Sequence, residues 1–186
     1  MGFALRKEDL PHYRYEDYLA WDGDWELIDG VAWAMSPSPT VTHQRLSTII
    51  ARLLDEALDD CPHCMSVLDI DWKIDESTVV RPDNVVICHP PESQKYLTRA
   101  PALIFEILSP STAAKDEGVK FRLYEAEGVM WYVLVNPEEH VLKIYRLHEG
   151  RYIKQADLAH ESFEFELGTC RFVLDFSRLW RKLGLE

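Results

Sequence analysis

The sequence predicts a single α/β domain with a mixed central β-sheet, helices on its faces and an N-terminal hairpin. The strongest observation is the stretch 102–108, in which every residue except Glu106 is apolar. Consecutive apolar residues are typical of a strand that is buried on both faces in the middle of a sheet. We therefore expect 102–108 to be the central strand.

Two further observations indicate the same class of fold. A helical pattern over residues 113–127 ends at Gly128 and leads into a second apolar run, 130–135. Because a strand–helix–strand crossover is nearly always right-handed, this second run is predicted to lie parallel to the central strand. Near the N-terminus, Asp29-Gly30 separates two short strand patterns and suits a type I′ hairpin turn.

The other elements are predicted from local patterns. At 186 residues, without an internal repeat or a linker, the chain is expected to be one domain that begins with a loosely attached arm, 1–14. The remaining predicted helices are 15–21, 41–58 and 176–185. The remaining predicted strands are 67–74, 79–88, the hairpin 141–147 with 151–155, and a strand that begins at 163.

The composition is that of an ordinary soluble protein, but the charge is strongly acidic. The formal net charge is −12, which argues against broad affinity for nucleic acid because phosphates need nearby Lys and Arg. A local basic track remains open. Its candidate residues are Arg45, Arg52, Lys95, Arg99, Lys115 and Arg122. The N-terminus has no signal-peptide core and no window is long enough to span a membrane, so we expect a cytoplasmic protein.

The cysteines raise the question of a metal site. Cys61-Pro62-His63-Cys64 has the spacing of a zinc-ligand pair, and Cys88-His89 follows later in the chain. Cys88-His89 does not have the spacing of a second zinc-ligand pair. A redox C-x-x-C motif normally begins a helix, whereas Cys61–Cys64 follows a predicted helix. We expect the four cysteines to be ordinary reduced thiols.

Asp83 and Glu106 are the residues most suited to chemistry. Glu106 is a carboxylate inside the predicted central strand, which is costly unless a charge partner or a metal meets it. Asp83 follows Pro82 at the mouth of another apolar strand, and two carboxylates on neighbouring strands could chelate one hard cation. The alternatives are a buried ion pair for Glu106, for instance with Lys120, and a turn role for Asp83.

These residues also carry a resemblance. Pro82-Asp83 and Glu106, twenty-three positions later, resemble the PD-(D/E)XK nuclease signature. The ordered motifs of residues 15–146 resemble the Uma-two family of restriction-endonuclease-like proteins. These motifs are Trp25–Gly30, Met35-Ser36-Pro37, His43-Gln44, Glu106–Thr112, Lys120 with Tyr124, Gly128-Val129, Trp131-Tyr132 and Asn136-Pro137. The resemblance implies a restriction-endonuclease-like fold.

The resemblance also implies a set of roles. Asp83, Glu106 and the carbonyl of Ile107 would hold Mg²⁺ or Mn²⁺, the cations that oxygen ligands favour, and Glu26 would join the site. The usual signature has its lysine two residues after the acid, where this chain has Leu108.

Lys120 is expected to replace that lysine. The strand runs roughly 7 Å beyond Glu106, and the helix returns roughly 10 Å between residues 113 and 120. Lys115 is expected to lie too far along to substitute, and Tyr124 to pack against or support Lys120. The alternative for Lys120 is a weak surface pair with Asp116.

The favoured function is a Mg²⁺-dependent endonuclease that acts on DNA, most simply as a homodimer with one active site for each strand. Two alternatives remain open. The first is a catalytically inactive nucleic-acid-binding or regulatory module with the same fold, which the acidic charge supports. The second is a hydrolase of another phosphodiester.

Overall fold

The computed structural model describes residues 11–35 and 38–184. Its helices are α1 (Tyr15–Tyr18), α2 (Val41–Ala57), a π-helix (Lys115–Lys120), α3 (Phe121–Ala126) and α4 (Ser177–Arg181). Its first six strands are β1 (Trp25–Ile28), β2 (Val31–Ala34), β3 (Met65–Leu68), β4 (Trp72–Asp75), β5 (Thr78–Val80) and β6 (Asn84–Ile87). The others are β7 (Leu103–Ile107), β8 (Trp131–Asn136), β9 (Val141–His148), β10 (Arg151–Leu158), β11 (Ser162–Leu167) and β12 (Cys170–Asp175).

The largest sheet is mixed and has the central strand that the sequence predicts. Its six strands are ordered β10-β9-β8-β7-β6-β3, and β7 pairs with β8 in parallel and with β6 in antiparallel fashion. All five residues of β7 are buried. Two smaller sheets complete the fold, one ordered β2-β1-β5-β4 and one formed by β11 and β12.

Two hydrophobic clusters lie on the two faces of this sheet. One includes the apolar face of α2 together with α4 and the β11–β12 hairpin, and it contains Leu103, Phe105 and Ile107 of β7. The other includes Tyr124 of α3 and contains Ile104 and Leu108. Because side chains alternate along a strand, Glu106 shares the face of Ile104 and Leu108. Its carboxylate is therefore directed toward the π-helix and α3.

The N-terminal hairpin is confirmed. β1 and β2 pair in register from Trp25↔Ala34 to Ile28↔Val31. Asp29 and Gly30 both have positive φ, 50° and 74°, as a type I′ turn requires. The arm predicted over 1–14 lies mostly outside the described residues, but Tyr13 N donates to Gly30 O at 2.8 Å.

Two predicted strands are wrong, because each one is divided between two sheets. The strand expected over 67–74 is split into β3 and β4 at Asp69, which has a φ of 51°. The strand expected over 79–88 is split into β5 and β6 at 81–83, where Pro82 has no N–H group to donate to a ladder. The two segments in which the chain crosses from one sheet to the other lie side by side, since Asp69 N donates to Asp83 O at 3.3 Å.

Two further expectations need correction. The strand expected from residue 163 is a hairpin, β11 and β12, with Gly168 at a φ of 66° in its turn. The helix expected over 113–127 changes character within its length. Residues 115–120 are π-helical and 121–126 are α-helical.

The prediction of reduced thiols is wrong in this structure, because all four cysteines are paired in disulfides. Cys61 bonds to Cys170 and joins the end of α2 to the start of β12. Cys64 bonds to Cys88 across the β3–β6 pair. The C-x-x-C motif is therefore neither a zinc pair nor a disulfide with itself. Among the described residues, no helix is long and apolar enough to span a membrane.

Candidate active site

The crossing between β5 and β6 places Asp83 beside the end of β7. Asp83 Oδ2 accepts a hydrogen bond from Ile107 N at 2.7 Å and lies 3.2 Å from His43 Nε2 on α2. Burial of His43 opposes its charge, but the Asp83 carboxylate raises the pKa of the imidazole above its ordinary value. Within residues 11–35 and 38–184, the contacts of Asp83 use Oδ2, which leaves Oδ1 as the atom that would meet a ligand.

Glu106 projects from the centre of β7 into a closed polar cluster. Its Oε1 accepts hydrogen bonds from Lys120 Nζ at 2.9 Å and from the Tyr124 hydroxyl at 2.8 Å. Burial raises the pKa of Glu106 well above its ordinary value. Lys120 lowers this pKa, but the nearby charges of Asp116, Asp83 and Glu26 oppose that effect.

Lys120 lies between three carboxylates. Its Nζ is 2.7 Å from Glu26 Oε1, 2.9 Å from Glu106 Oε1 and 3.7 Å from Asp116 Oδ1, and 3% of its side chain is exposed. Burial disfavours the charged amine, but these three acids raise the pKa of Lys120 well above its ordinary value. The ammonium group therefore stays charged at neutral pH.

Glu26 of β1 has both of its oxygens engaged and no exposed surface. Oε1 accepts from Lys120 and from Arg81 N, at 2.7 and 2.9 Å, and Oε2 accepts from Lys115 Nζ. Burial opposes ionisation, but Lys120 and Lys115 together lower the pKa of Glu26. Glu26 is thus a carboxylate that holds two lysines, with both of its oxygens already accepting hydrogen bonds.

The cluster contains more acids than lysines. Three buried acids, Glu26, Glu106 and Asp116, face two buried lysines, Lys115 and Lys120. Asp83 at the edge adds a fourth acid. Burial and this excess of acids raise the pKa of Glu106 and of Asp116, and a divalent cation beside Asp83 and Glu106 would favour their carboxylate forms.

The chemistry of these side chains limits which metal they would suit. Within 11–35 and 38–184, no three His, Cys, Asp or Glu side chains converge as a metal-holding group. That excludes an all-side-chain zinc cage there. Mg²⁺ uses one or two carboxylates and completes its shell with waters and substrate phosphate oxygens. Asp83, Glu106 and the Ile107 carbonyl match this pattern better.

The structure brings together all the side chains predicted for the site, although it does not test their roles. Lys120 lies beside Glu106 as the strand-and-helix geometry predicts, and the Tyr124 hydroxyl also contacts Glu106. Lys115 pairs with Glu26, and no contact among the described residues joins it to Glu106, so the expectation that it cannot substitute for Lys120 stays a prediction. The π-helix brings residues 115 and 120 onto one face, because its hydrogen bonds join residues five apart.

Two other members of the cluster were not assigned to the site from the sequence. Asp116 is buried within it, whereas an α-helical reading makes Asp116 a surface partner of Lys120. His43 contacts Asp83, whereas its position near the start of α2 favours a capping or surface role. One sequence signal could have found both residues: each is a polar residue next to a stretch of the sequence that is mainly apolar.

The fold and this acid–lysine cluster define a restriction-endonuclease-like protein. A crystal structure described as that of a putative nuclease belonging to DUF820, from Anabaena variabilis, matches with a TM-score of 0.70 and 16% sequence identity. The match covers 90% of this chain and 97% of that one. At this identity the likeness shows the fold.

The family is shown by sequence. Residues 15–168 match the model of the Uma2 family, described as "Putative restriction endonuclease", and the chain belongs to that family. The uncharacterized protein slr1290 of Synechocystis sp. is 34% identical over 150 residues, which are 75% of this chain and 77% of the relative.

Proposed function

We propose that this protein is a Mg²⁺- or Mn²⁺-dependent endonuclease that hydrolyses phosphodiester bonds in DNA. The observation that carries the proposal is that adjacent residues of β7 contact the other candidates: Glu106 accepts a hydrogen bond from Lys120, and Ile107 N donates to Asp83. Membership of the family described as "Putative restriction endonuclease" supports the same reaction class. A purely structural core would not need to bury this set of charges, because buried ions are costly unless each is paired.

Asp83, Glu106 and the Ile107 carbonyl would hold the cation. Among the described residues, the contacts of Asp83 use Oδ2 and the hydrogen bonds to Glu106 use Oε1, so the other oxygen of each carboxylate would bind the cation. When bound, the cation supplies a Lewis acid for the scissile phosphate and lowers the pKa of a water.

The chain's own residues supply the remaining functions. Lys120 is a fixed positive charge with three donors, which suits it to orient the attacking water and to offset negative charge in the transition state. Tyr124 holds Glu106 in place through its hydroxyl at 2.8 Å. Glu26 holds Lys120 at 2.7 Å, so its role is to position the lysine.

A second candidate function has one observation in its favour. The net charge of −12 opposes close approach of a polyanion. A catalytically inactive nucleic-acid-binding or regulatory module with this fold would bind a partner without cleaving it.

One cleavage assay separates the candidates. The protein is incubated with linear, supercoiled, single-stranded and branched DNA and with RNA, each in Mg²⁺, in Mn²⁺ and in EDTA. Cleavage that requires the cation supports the nuclease and identifies its substrate. A gel shift of nucleic acid that stays intact supports the binding module. Cleavage of RNA but not of DNA would make RNA the substrate.

Location is also part of the proposal. We assign the protein to the cytoplasm, as the sequence predicts, although its two disulfides are of a kind that persists mainly in oxidising compartments. Trapping free thiols in intact cells tests this. Alkylation of all four cysteines would agree with a reducing cytoplasm. Alkylation of no cysteine would argue for an oxidising compartment.

A further inference from the structure

Lys115 differs from Lys120 in the number of carboxylates that surround its ammonium group. Lys120 lies within 4.0 Å of three carboxylates. Lys115, among the described residues, forms an ion pair with Glu26 alone. Its side chain is 9% exposed, against 3% for Lys120. Lys115 is therefore the lysine that keeps charge to offer to an incoming anion.

The local backbone explains why Lys115 belongs to this site. In an α-helix, at 100° per residue, side chains five apart point about 140° away from each other. The π-helix over Lys115–Lys120 closes each turn with an i→i+5 hydrogen bond. Lys115 and Lys120 consequently reach the two oxygens of one carboxylate, Glu26. Single π-helical turns occur frequently at functional sites.

The position of Lys115 also suits a substrate contact. It follows the carboxyl end of β7 by one short connection, and that end holds Ile107 beside Asp83. Ligands of α/β sheets bind outside the carboxyl ends of the strands. A phosphate that approaches Asp83 would thus meet Lys115 at the same end of the sheet.

We propose that Lys115 binds a backbone phosphate of the nucleic-acid substrate, and that Glu26 positions Lys115 for this contact. The inference rests on the proposed function. It assigns phosphate recognition to Lys115 and leaves activation of the attacking water to Lys120.

The test measures the salt dependence of binding. A fluorescent DNA duplex is titrated with protein at several salt concentrations, with Ca²⁺ in place of Mg²⁺, and a gel confirms that the DNA stays intact. Each phosphate contact contributes about 0.7–0.9 to the slope of log K against log[salt]. Lys115→Gln retains a donor for Glu26 but removes the charge, so the slope should fall by about that amount.

Two variants control for charge and structure. Lys115→Arg keeps a cation and should retain the wild-type slope. Lys154→Gln removes one positive charge from an exposed pair with Asp157 on β10 and should also leave the slope unchanged. Thermal melting of each variant verifies folding.

The outcomes separate this inference from the nuclease proposal. If Lys115→Gln has a reduced slope and the wild-type protein cleaves under no cation, the phosphate contact of Lys115 is supported and the nuclease proposal is overturned. Wild-type cleavage with an unchanged slope in Lys115→Gln overturns Lys115 and keeps the nuclease. A wild-type protein that binds no DNA duplex overturns the phosphate contact.

Discussion

Lys120 Nζ lies 2.9 Å from Glu106 Oε1, although the two residues are fourteen positions apart and belong to different elements. This contact joins the π-helix to the central strand. It also brings a lysine to Glu106, although this chain has Leu108 at the position where the usual nuclease signature has its lysine. A lysine can thus reach this acid from a helix as well as from the strand, provided that the helix packs over its own strand.

Replacing Lys120 should remove cleavage. We expect Lys120→Ala to lose about 10²- to 10³-fold in rate, the usual effect of deleting one group that stabilises charge in a transition state. Metal binding should persist, because Asp83 and Glu106 are intact. Gel-based cleavage rates and Mn²⁺ calorimetry measure the two effects.

Stability must be followed in the same experiment. Lys120→Ala leaves three buried acids without their shared partner, and breaking such a pair costs about 3–5 kcal/mol. Lys120→Arg keeps the charge and serves as the folded control. If a folded Lys120→Ala protein cleaves at the wild-type rate, Lys120 is not catalytic.

The metal ligands can be tested independently of activity. Asp83→Ala and Glu106→Ala should each abolish Mn²⁺ binding in calorimetric titration, because one remaining carboxylate holds such an ion weakly. Glu106→Gln should retain the fold, since the amide is nearly isosteric. Glu117→Ala is the matched control, because its acid pairs with Lys143 on the surface. Wild-type affinity in both site variants would rule out this metal site.

The raised pKa of Glu106 predicts a pH-dependent stability for the metal-free protein. The folded state binds this proton more tightly than the unfolded chain does, so the free energy of unfolding should fall as pH rises from about 4.3 through the raised pKa. Glu106→Gln has no such proton and should flatten this decline. Urea denaturation in EDTA across the pH range measures both curves, and parallel curves would contradict the prediction.

The sequence predicted those parts of the fold whose signal is local and repeated. β7 and the type I′ turn at Asp29-Gly30 fall in this group, because strand burial and positive φ leave direct marks on residue type. The split at Asp69 was missed, because an aspartate at positive φ within an alternating pattern is indistinguishable from a solvent-facing strand residue. The π-helix was missed because its residues have the same propensities in an α-helix.

A homodimer is expected if the enzyme cuts both strands of a duplex, because two sites related by a two-fold axis reach both strands at once. Light scattering at high concentration should give twice the monomer mass of 21.6 kDa. A mass of one chain at every concentration would remove this expectation.

The two disulfides can be recognised by mass and by stability. The intact protein should be lighter by four hydrogens before reduction than after it, since it holds two bonds. In the chain-entropy description, a disulfide stabilises the fold by restricting the unfolded chain, and more so when it closes a longer loop. Cys61 and Cys170 are 109 positions apart, whereas Cys64 and Cys88 are 24 apart.

The Cys61–Cys170 bond closes the longer loop and should therefore contribute more to the free energy of unfolding. We expect Cys61→Ala/Cys170→Ala to lose about 5 kcal/mol and Cys64→Ala/Cys88→Ala about 3 kcal/mol of unfolding free energy. Denaturation of both double variants, each compared with the oxidised wild type, measures the difference. Added reductant should lower the wild-type midpoint and leave the variant without either pair unchanged. If reductant has no effect on the wild type, the four cysteines are thiols in solution and the pairing is wrong.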